Sequence, residues 1–389
     1  MEFGWRKTLL YSLIPVVALL AVLEGGARLV ELWIPPLSVD YGWGFNPESR
    51  LYVTSKDDPS LMVTDPAKRA SFCDEQFSVP KPDATFRVFM LGGSSVNYIQ
   101  SDLAQMVQRL APAFGGKYRF EVIDAGGCAY GTHRLVPLLV EVLNYESDLI
   151  LVYSGHNEFE EADQLVLARP ERAALQRAVY ASALLRVVRD SIARVQMARM
   201  LSAKEKAMRE HNNQILANPE ADYMSGFHYD YTPEEIAGRM ATYRDNLSLM
   251  VQLCKERGVP IILGTVPSNL WQPDLMKDED ELEVRRLYDA GKYEEGAALA
   301  RGLLRESKRH QASDEENAII RAVAEQHEVP LADVEQAIIG AEPHGIPGET
   351  LFSDRCHLDG DGNAILTATY EKVIRRVVQG IADAERDAL

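Results

Sequence analysis

From residue 86 onward, short apolar runs ending in small residues alternate with stretches of helical character. Phe86–Leu91 (FRVFML) ends at Gly92-Gly93 and leads into a helical stretch from about Val96 to Phe114. Arg119–Ile123 (RFEVI) is followed by glycines and by helical character around Leu135–Leu143. Asp148–Tyr153 (DLILVY) is a third run, helical residues 233–257 lead into Val259–Val266 (VPIILGTV), and Val329–Val334 is a weaker fifth. Runs this apolar are buried on both faces, and the helices between them supply both the cover and the crossovers that parallel strands need. The pattern predicts an α/β fold built on a parallel sheet. In such sheets ligands bind outside the carboxyl ends of the strands, so the residues just after each run are where chemistry is sought.

Three polar motifs occupy such places. Gly92-Gly93-Ser94-Ser95 follows the first run, where glycines permit a tight turn that lifts a serine hydroxyl above the sheet. Alone, this is equally a structural turn. Ser154-Gly155-His156-Asn157-Glu158 follows the third run. An asparagine amide there is able to donate to a developing oxyanion, and His156 is either a base or a turn residue. Near the C-terminus stands Ser353-Asp354-Arg355-Cys356-His357-Leu358-Asp359-Gly360. Asp and His three apart meet across one turn, so the carboxylate is able to hold the imidazole tautomer while its other nitrogen takes a serine proton. The competing reading is an Asp-rich loop capping the last helix.

Together and in this order, Gly-Gly-Ser, Gly-x-Asn and Asp-x-x-His-Leu resemble the SGNH (GDSL-type) hydrolases. The stretches KPDATFRVFMLGGSS, SGHNEFEE, TVPSNL and GIPGETLFSDRCHLDGDGN look closest to exported bacterial SGNH proteins with tetratricopeptide-like helices. The resemblance covers roughly residues 85–380 apart from two insertions. It implies a flavodoxin-like three-layer sheet (the SGNH hydrolase fold), Ser94 as nucleophile, His357 as base and Asp354 as its orienter. It puts the Asn157 side chain and backbone amides in the oxyanion hole and involves no cofactor or metal. Ser95 is the alternative nucleophile, but the family serine directly follows the Gly-Gly pair. Two departures stand out: Gly93 replaces the aspartate of the GDS form, and the family's second glycine falls on Ala129, with Gly127 as the alternative. Cys128 and Cys356 adjoin these loops and are candidates for a disulfide in an oxidising compartment.

Outside the sheet, residues 8–23 (TLLYSLIPVVALLAVL) are uncharged, and the apolar pattern resumes after Arg28 as far as Pro35. Residues 1–35 therefore read as a transmembrane anchor, with a cleaved signal peptide as the rival. Arg6 and Lys7 keep the N-terminus cytoplasmic, which exports the rest, to the periplasmic side if the cell is Gram-negative. Residues 36–85 read as a linker and edge segment, and 86–389 as the hydrolase domain with helical insertions at about 160–232 and 278–325. The first insertion sets Leu184, Leu185, Val188, Ile192 and Val195 at helical spacing against a basic face of Arg186, Arg189, Arg194, Arg199, Lys204 and Lys206. It is either packed on the sheet or a membrane-surface element or lid. Leu287–Leu304 resembles a fragment of a helical repeat.

Net charge of −17 excludes a nucleic-acid partner, whose phosphates call for a basic surface. No cysteine spacing marks a metal site. These readings point to an esterase or deacylase acting on an acylated small molecule, glycan or lipid of the envelope. An O-acyltransferase with the same triad and a non-catalytic binding or assembly protein are the alternatives.

Overall fold

The computed structural model describes residues 5–34, 50–69, 71–159, 182–192, 195, 232–275, 277–306 and 311–387. Arg194, Arg199, Lys204 and Lys206 of the first insertion lie outside them. The chain forms two compact units, one of residues 1–49 and 167–226, the other of 50–166 and 227–389.

In the first unit, helix α1 (Trp5–Trp33) has a stretch, Tyr11–Trp33, that is long and apolar enough to cross a bilayer. Residues 183–192 are also helical. The first insertion was expected within the hydrolase domain, but its centre groups with α1. Two contacts explain this. The Glu24 carboxylate accepts from Ser182 Oγ and from the N–H groups of Ala183 and Leu184, and the Arg186 guanidinium grips Glu31 through two nitrogens.

In the second unit, residues 50–69 and 71–85 of the stretch read as linker and edge carry ordered structure. β1 (Tyr52–Thr54), β2 (Leu61–Thr64) and β3 (Gln76–Ser78) form a small antiparallel sheet. Tyr52 and Phe77 seal it to the main core by edge and tilted ring contacts with Phe89 and Tyr145. The buried Arg87 ties it down by donating to Ser78 O and Tyr145 O while pairing with Glu121.

The main sheet has five parallel strands, β4 (Thr85–Gly92), β5 (Arg119–Gly126), β6 (Leu149–Tyr153), β7 (Ile261–Gly264) and β8 (Leu331–Ala332). The fifth, expected over six residues, keeps only two in the ladder. Every residue of β4 and β6 is buried, which explains why β6 is apolar throughout and why β4 is apolar apart from Thr85 and the paired Arg87. One helical layer contains α3 (Gln100–Leu110), α9 (Val334–Ala341) and α10 (Gly360–Asp387); the other contains α4 (Thr132–Val142), α5 (Pro233–Arg257) and α8 (Asp314–Gln326). A four-residue helix, α2 (Ser94–Asn97), follows β4 directly. The order β5-β4-β6-β7-β8 is 2-1-3-4-5 in chain sequence, the flavodoxin-like arrangement expected of an SGNH-type fold. Its switch point lies between β4 and β6, where the crossovers leave in opposite directions and open a crevice.

The second insertion divides. α6 (Asp278–Asp289) and α7 (Tyr293–Glu306) pair around a small core of their own that includes Leu270, Val284, Tyr288, Ala300 and Leu304. Helix α8 instead packs Ile319, Ile320 and Val323 into the main core.

Candidate active site

The switch-point crevice collects all three sequence motifs. β4 ends at Gly92, Gly93 takes an extended conformation, and Ser94 opens α2. Ser94 Oγ lies 2.7 Å from His357 Nε2, and His357 Nδ1 lies 2.7 Å from Asp354 Oδ2. With Nδ1–H donating to the carboxylate, Nε2 is left to accept from the serine hydroxyl. The second Asp354 oxygen accepts the N–H groups of Cys356 (2.8 Å) and His357 (2.7 Å), a turn that the three-residue spacing makes possible. Partial burial works against the Asp354 charge, but bonds from the His357 ring and the two N–H groups outweigh it. They hold the carboxyl well below its usual range.

The loop carrying these residues is fastened from outside. Asn269 Nδ2 donates to the Asp354 carbonyl (2.9 Å), and the Asn269 N–H donates to the Arg355 carbonyl (3.1 Å). The Arg355 guanidinium pairs with Asp274 and Glu281, so α6 is tied to the same loop. On the solvent side the Tyr98 ring leans over the His357 imidazole, with centroids 4.9 Å apart. Sequence reasoning assigned no role to Asn269 or Tyr98. Asn269 stands in the TVPSNL stretch that carries part of the resemblance, whereas nothing near Tyr98 marks it.

Asn157 lies at the head of β6 with its amide nitrogen over Gly93, where any Cβ would overlap it. One of its amide hydrogens is held by the Tyr130 carbonyl (3.2 Å), which leaves the other. The next residue, Glu158, is fully buried and accepts from both the N–H and the hydroxyl of Thr132 (2.8 Å each), clamping the loop after β5. In that loop the N–H of Gly127 donates to Gly92 O, that of Cys128 to Ser71 O and that of Tyr130 to Gly127 O. Ala129 has a left-handed backbone (φ +62°), and its N–H has no partner among the described residues. Of the two sequence candidates for this position, Gly127 is engaged by the sheet and Ala129 is available. The N–H of Ser94, in the first turn of α2, also lacks a helical partner.

His156, the other base candidate, is buried and accepts the Ala312 N–H at Nδ1 (3.0 Å). Desolvation, aided by His357, lowers its pKa to about 3, so it is a neutral structural group apart from the Ser94–His357 contact. The suggested Cys128–Cys356 disulfide is absent. Cys128 lies against Asn97 and Tyr98, and Cys356 Sγ lies 3.6 Å from His357 Nδ1. Among the described residues one group could hold a metal ion, Asp354, Cys356 and His357, with ligand atoms within 4.8 Å of one another. An ion there would compete for the Nδ1 that orients His357. Beside the imidazole a cavity of about 190 Å³ is lined by Ser95, Tyr98, Tyr153, Asp359 and Asn363 among others.

No protein-family model and no curated protein matches this sequence. Solved structures do show likeness. A GDSL-like lipase from Bacteroides thetaiotaomicron is 12% identical over 75% of this chain and 88% of its own, with a TM-score of 0.37. The acetyl xylan esterase AlAXEase is 13% identical over 73% and 98%, with a TM-score of 0.39. A lipase/acylhydrolase from Enterococcus faecalis is 15% identical over 75% and 95%, with a TM-score of 0.39.

Proposed function

We propose that this chain is a serine esterase that cleaves an acyl ester outside the cytoplasm while anchored to a membrane through α1. The reading rests on one observation, the unbroken chain Ser94 Oγ, His357 Nε2, His357 Nδ1 and Asp354 Oδ2 with both contacts at 2.7 Å. As Ser94 Oγ bonds to the ester carbonyl carbon, its proton passes to His357 Nε2, and Asp354 stabilises the imidazolium. The carbonyl oxygen becomes an oxyanion that accepts from the free Asn157 hydrogen and from the N–H groups of Ala129 and Ser94. Collapse breaks the bond to the alkoxy oxygen, which leaves with the proton from His357. Water, deprotonated by the same nitrogen, then frees the acid and restores Ser94.

The acyl group is proposed to be short, and the cavity of about 190 Å³ beside His357 is large enough to receive one. An acylated envelope glycan or lipid is the proposed substrate class. Arg6 and Lys7 before the apolar stretch support an N-terminus inside and a catalytic unit outside. Fluorophosphonate labelling tests the chemistry: the wild type is expected to label and Ser94→Ala to remain unlabelled. An unlabelled wild type, or equal labelling of the variant, rejects the enzyme reading. Acetyl and long-chain p-nitrophenyl esters then test the preference for short acyl groups.

A further inference from the structure

Helix 183–192 is turned inside out for a protein in water. Its buried positions are Ala183, Arg186 and Asp190, the last two only 7% and 6% exposed. Its exposed positions are Leu185, Val188, Ile192 and, just beyond, Val195, at 44%, 49%, 54% and 53%. These two sets follow the spacings i, i+3, i+7 and i, i+3, i+7, i+10, so they form separate stripes, charged inward and apolar outward. Water favours the opposite arrangement, and lipid favours this one. The remaining exposed polar side chain, Ser191, has its hydroxyl satisfied by the Val187 carbonyl (2.7 Å).

The inward stripe is matched to α1. Glu24 interrupts the apolar stretch Tyr11–Trp33, where an ionisable group needs a partner. Its carboxylate caps the start of helix 183–192, taking Ser182 Oγ at 2.7 Å, Ala183 N–H at 2.9 Å and Leu184 N–H at 3.1 Å. These are the backbone donors that a helix start leaves open and that hydrocarbon cannot satisfy. Arg186 then pairs with Glu31 through two nitrogens at 2.8 Å each. The two contacts set the sense: the short helix runs alongside α1 from Glu24 toward Trp33. At about 1.5 Å per residue, its ten residues and the nine steps from Glu24 to Trp33 both cover about 14–15 Å. Its apolar stripe is thus level with the outward-facing Leu29, Leu32 and Trp33 of α1.

We infer that residues 182–192 form a second membrane-embedded helix, a half-span that enters the bilayer beside α1, is capped by Glu24 and faces lipid through Leu185, Val188 and Ile192. This rests on the reading of α1 as a membrane helix. The unit is then held in the membrane by two elements, and Glu24, Glu31 and Arg186 are satisfied before they meet hydrocarbon.

Photocrosslinking from single p-benzoylphenylalanine residues in the full chain, reconstituted in phosphatidylethanolamine/phosphatidylglycerol vesicles, tests it. Positions 188 and 192 are the probes, Leu19 of α1 reports its insertion, and Leu282 of α6 reports background. Lipid adducts at 188 and 192 comparable with those at 19, and about tenfold above 282, are expected of an embedded helix. Adducts at 19 with only background at 188 and 192, or crosslinks there to a second copy in place of lipid, overturn the half-span alone. Background at all positions overturns the membrane reading of α1 with it. Glu24→Leu, which keeps α1 apolar but removes the cap, is expected to lower adducts at 188 about tenfold and leave those at 19 unchanged; unchanged adducts at 188 reject the cap as the determinant.

Discussion

Asn269 Nδ2 donates to the backbone carbonyl of Asp354 at 2.9 Å and so holds the acidic end of the candidate triad from the neighbouring loop. The amide is itself locked, its oxygen accepting the Gln272 N–H (2.7 Å), and the Asn269 backbone carbonyl accepts from the Gln311 side chain (3.2 Å). Gly348 lies so close to the amide that a Cβ there would overlap it. Asn269→Ala is expected to lower kcat about 10- to 100-fold on a short-chain ester with little change in KM, because misplacement of a reacting group affects the chemical step. Asn269→Asp does not rescue, since a carboxylate cannot donate to a carbonyl. Wild-type kcat in either variant removes Asn269 from a positioning role.

Gly93 and Asn157 are predicted to act as one unit. Asn157→Ala removes the proposed oxyanion donor, for which a loss of about 10²–10³ in kcat is usual. Gly93→Ala places a methyl where the Asn157 amide nitrogen lies, so it displaces the same donor. The double variant is therefore expected to be about as slow as the worse single one, a strongly non-additive cycle. Additive losses would mean that the two residues serve separate purposes.

Ser94, His357 and Asp354 are legible in sequence because each adjoins an apolar run or a turn whose spacing alone brings the polar atoms to one sheet edge. The sheet is legible for the same reason: β4 and β6 are buried on both faces and read as apolar runs, broken only by Arg87 within Phe86–Leu91. Asn269 is not, because its bond to Asp354 joins loops 85 residues apart, and no local pattern encodes that. Ala129 and Gly127 become distinguishable only once the register of β4 and β5 engages the Gly127 N–H with Gly92 O. Residues 52–78 carry few apolar residues and too short a period to reveal strands. Their order comes from Arg87 and Phe77, which meet only in the folded chain (guanidinium 4.9 Å from the ring centroid).

That anchor gives a stability prediction. Arg87 is fully buried and makes bonds of 2.6, 2.8 and 2.7 Å to Glu121, Tyr145 O and Ser78 O. Arg87→Ala leaves Glu121 without its cation and two carbonyls without donors, a change expected to cost about 3–5 kcal/mol. Arg87→Lys recovers only part of this, because an ammonium cannot span the three directions of the guanidinium fork. Denaturant melts of the full chain in detergent check both; a loss under about 1 kcal/mol for Arg87→Ala contradicts the anchoring role.

Asp124 gives a pH dependence of definite sign. Its Oδ1 accepts the Gly126 N–H (2.8 Å), while its buried Oδ2 has no partner among the described residues. Desolvation, with a smaller contribution from the nearby Glu75 carboxylate, pushes its pKa up to about 8. In the unfolded chain the value is about 3.9. Between those limits the folded state holds the proton that the unfolded state has lost, so the stability from Asp124 is full below about pH 4 and declines until about pH 8. Asp124→Asn keeps the shape and the Gly126 bond but carries no charge at any pH. Its stability relative to wild type is therefore expected to rise between pH 5 and pH 8.5 by at least about 1.4 kcal/mol, the equivalent of one pKa unit. Denaturant unfolding of both proteins at the two pH values measures this, and a pH-independent difference would mean that Asp124 is ionised in the fold.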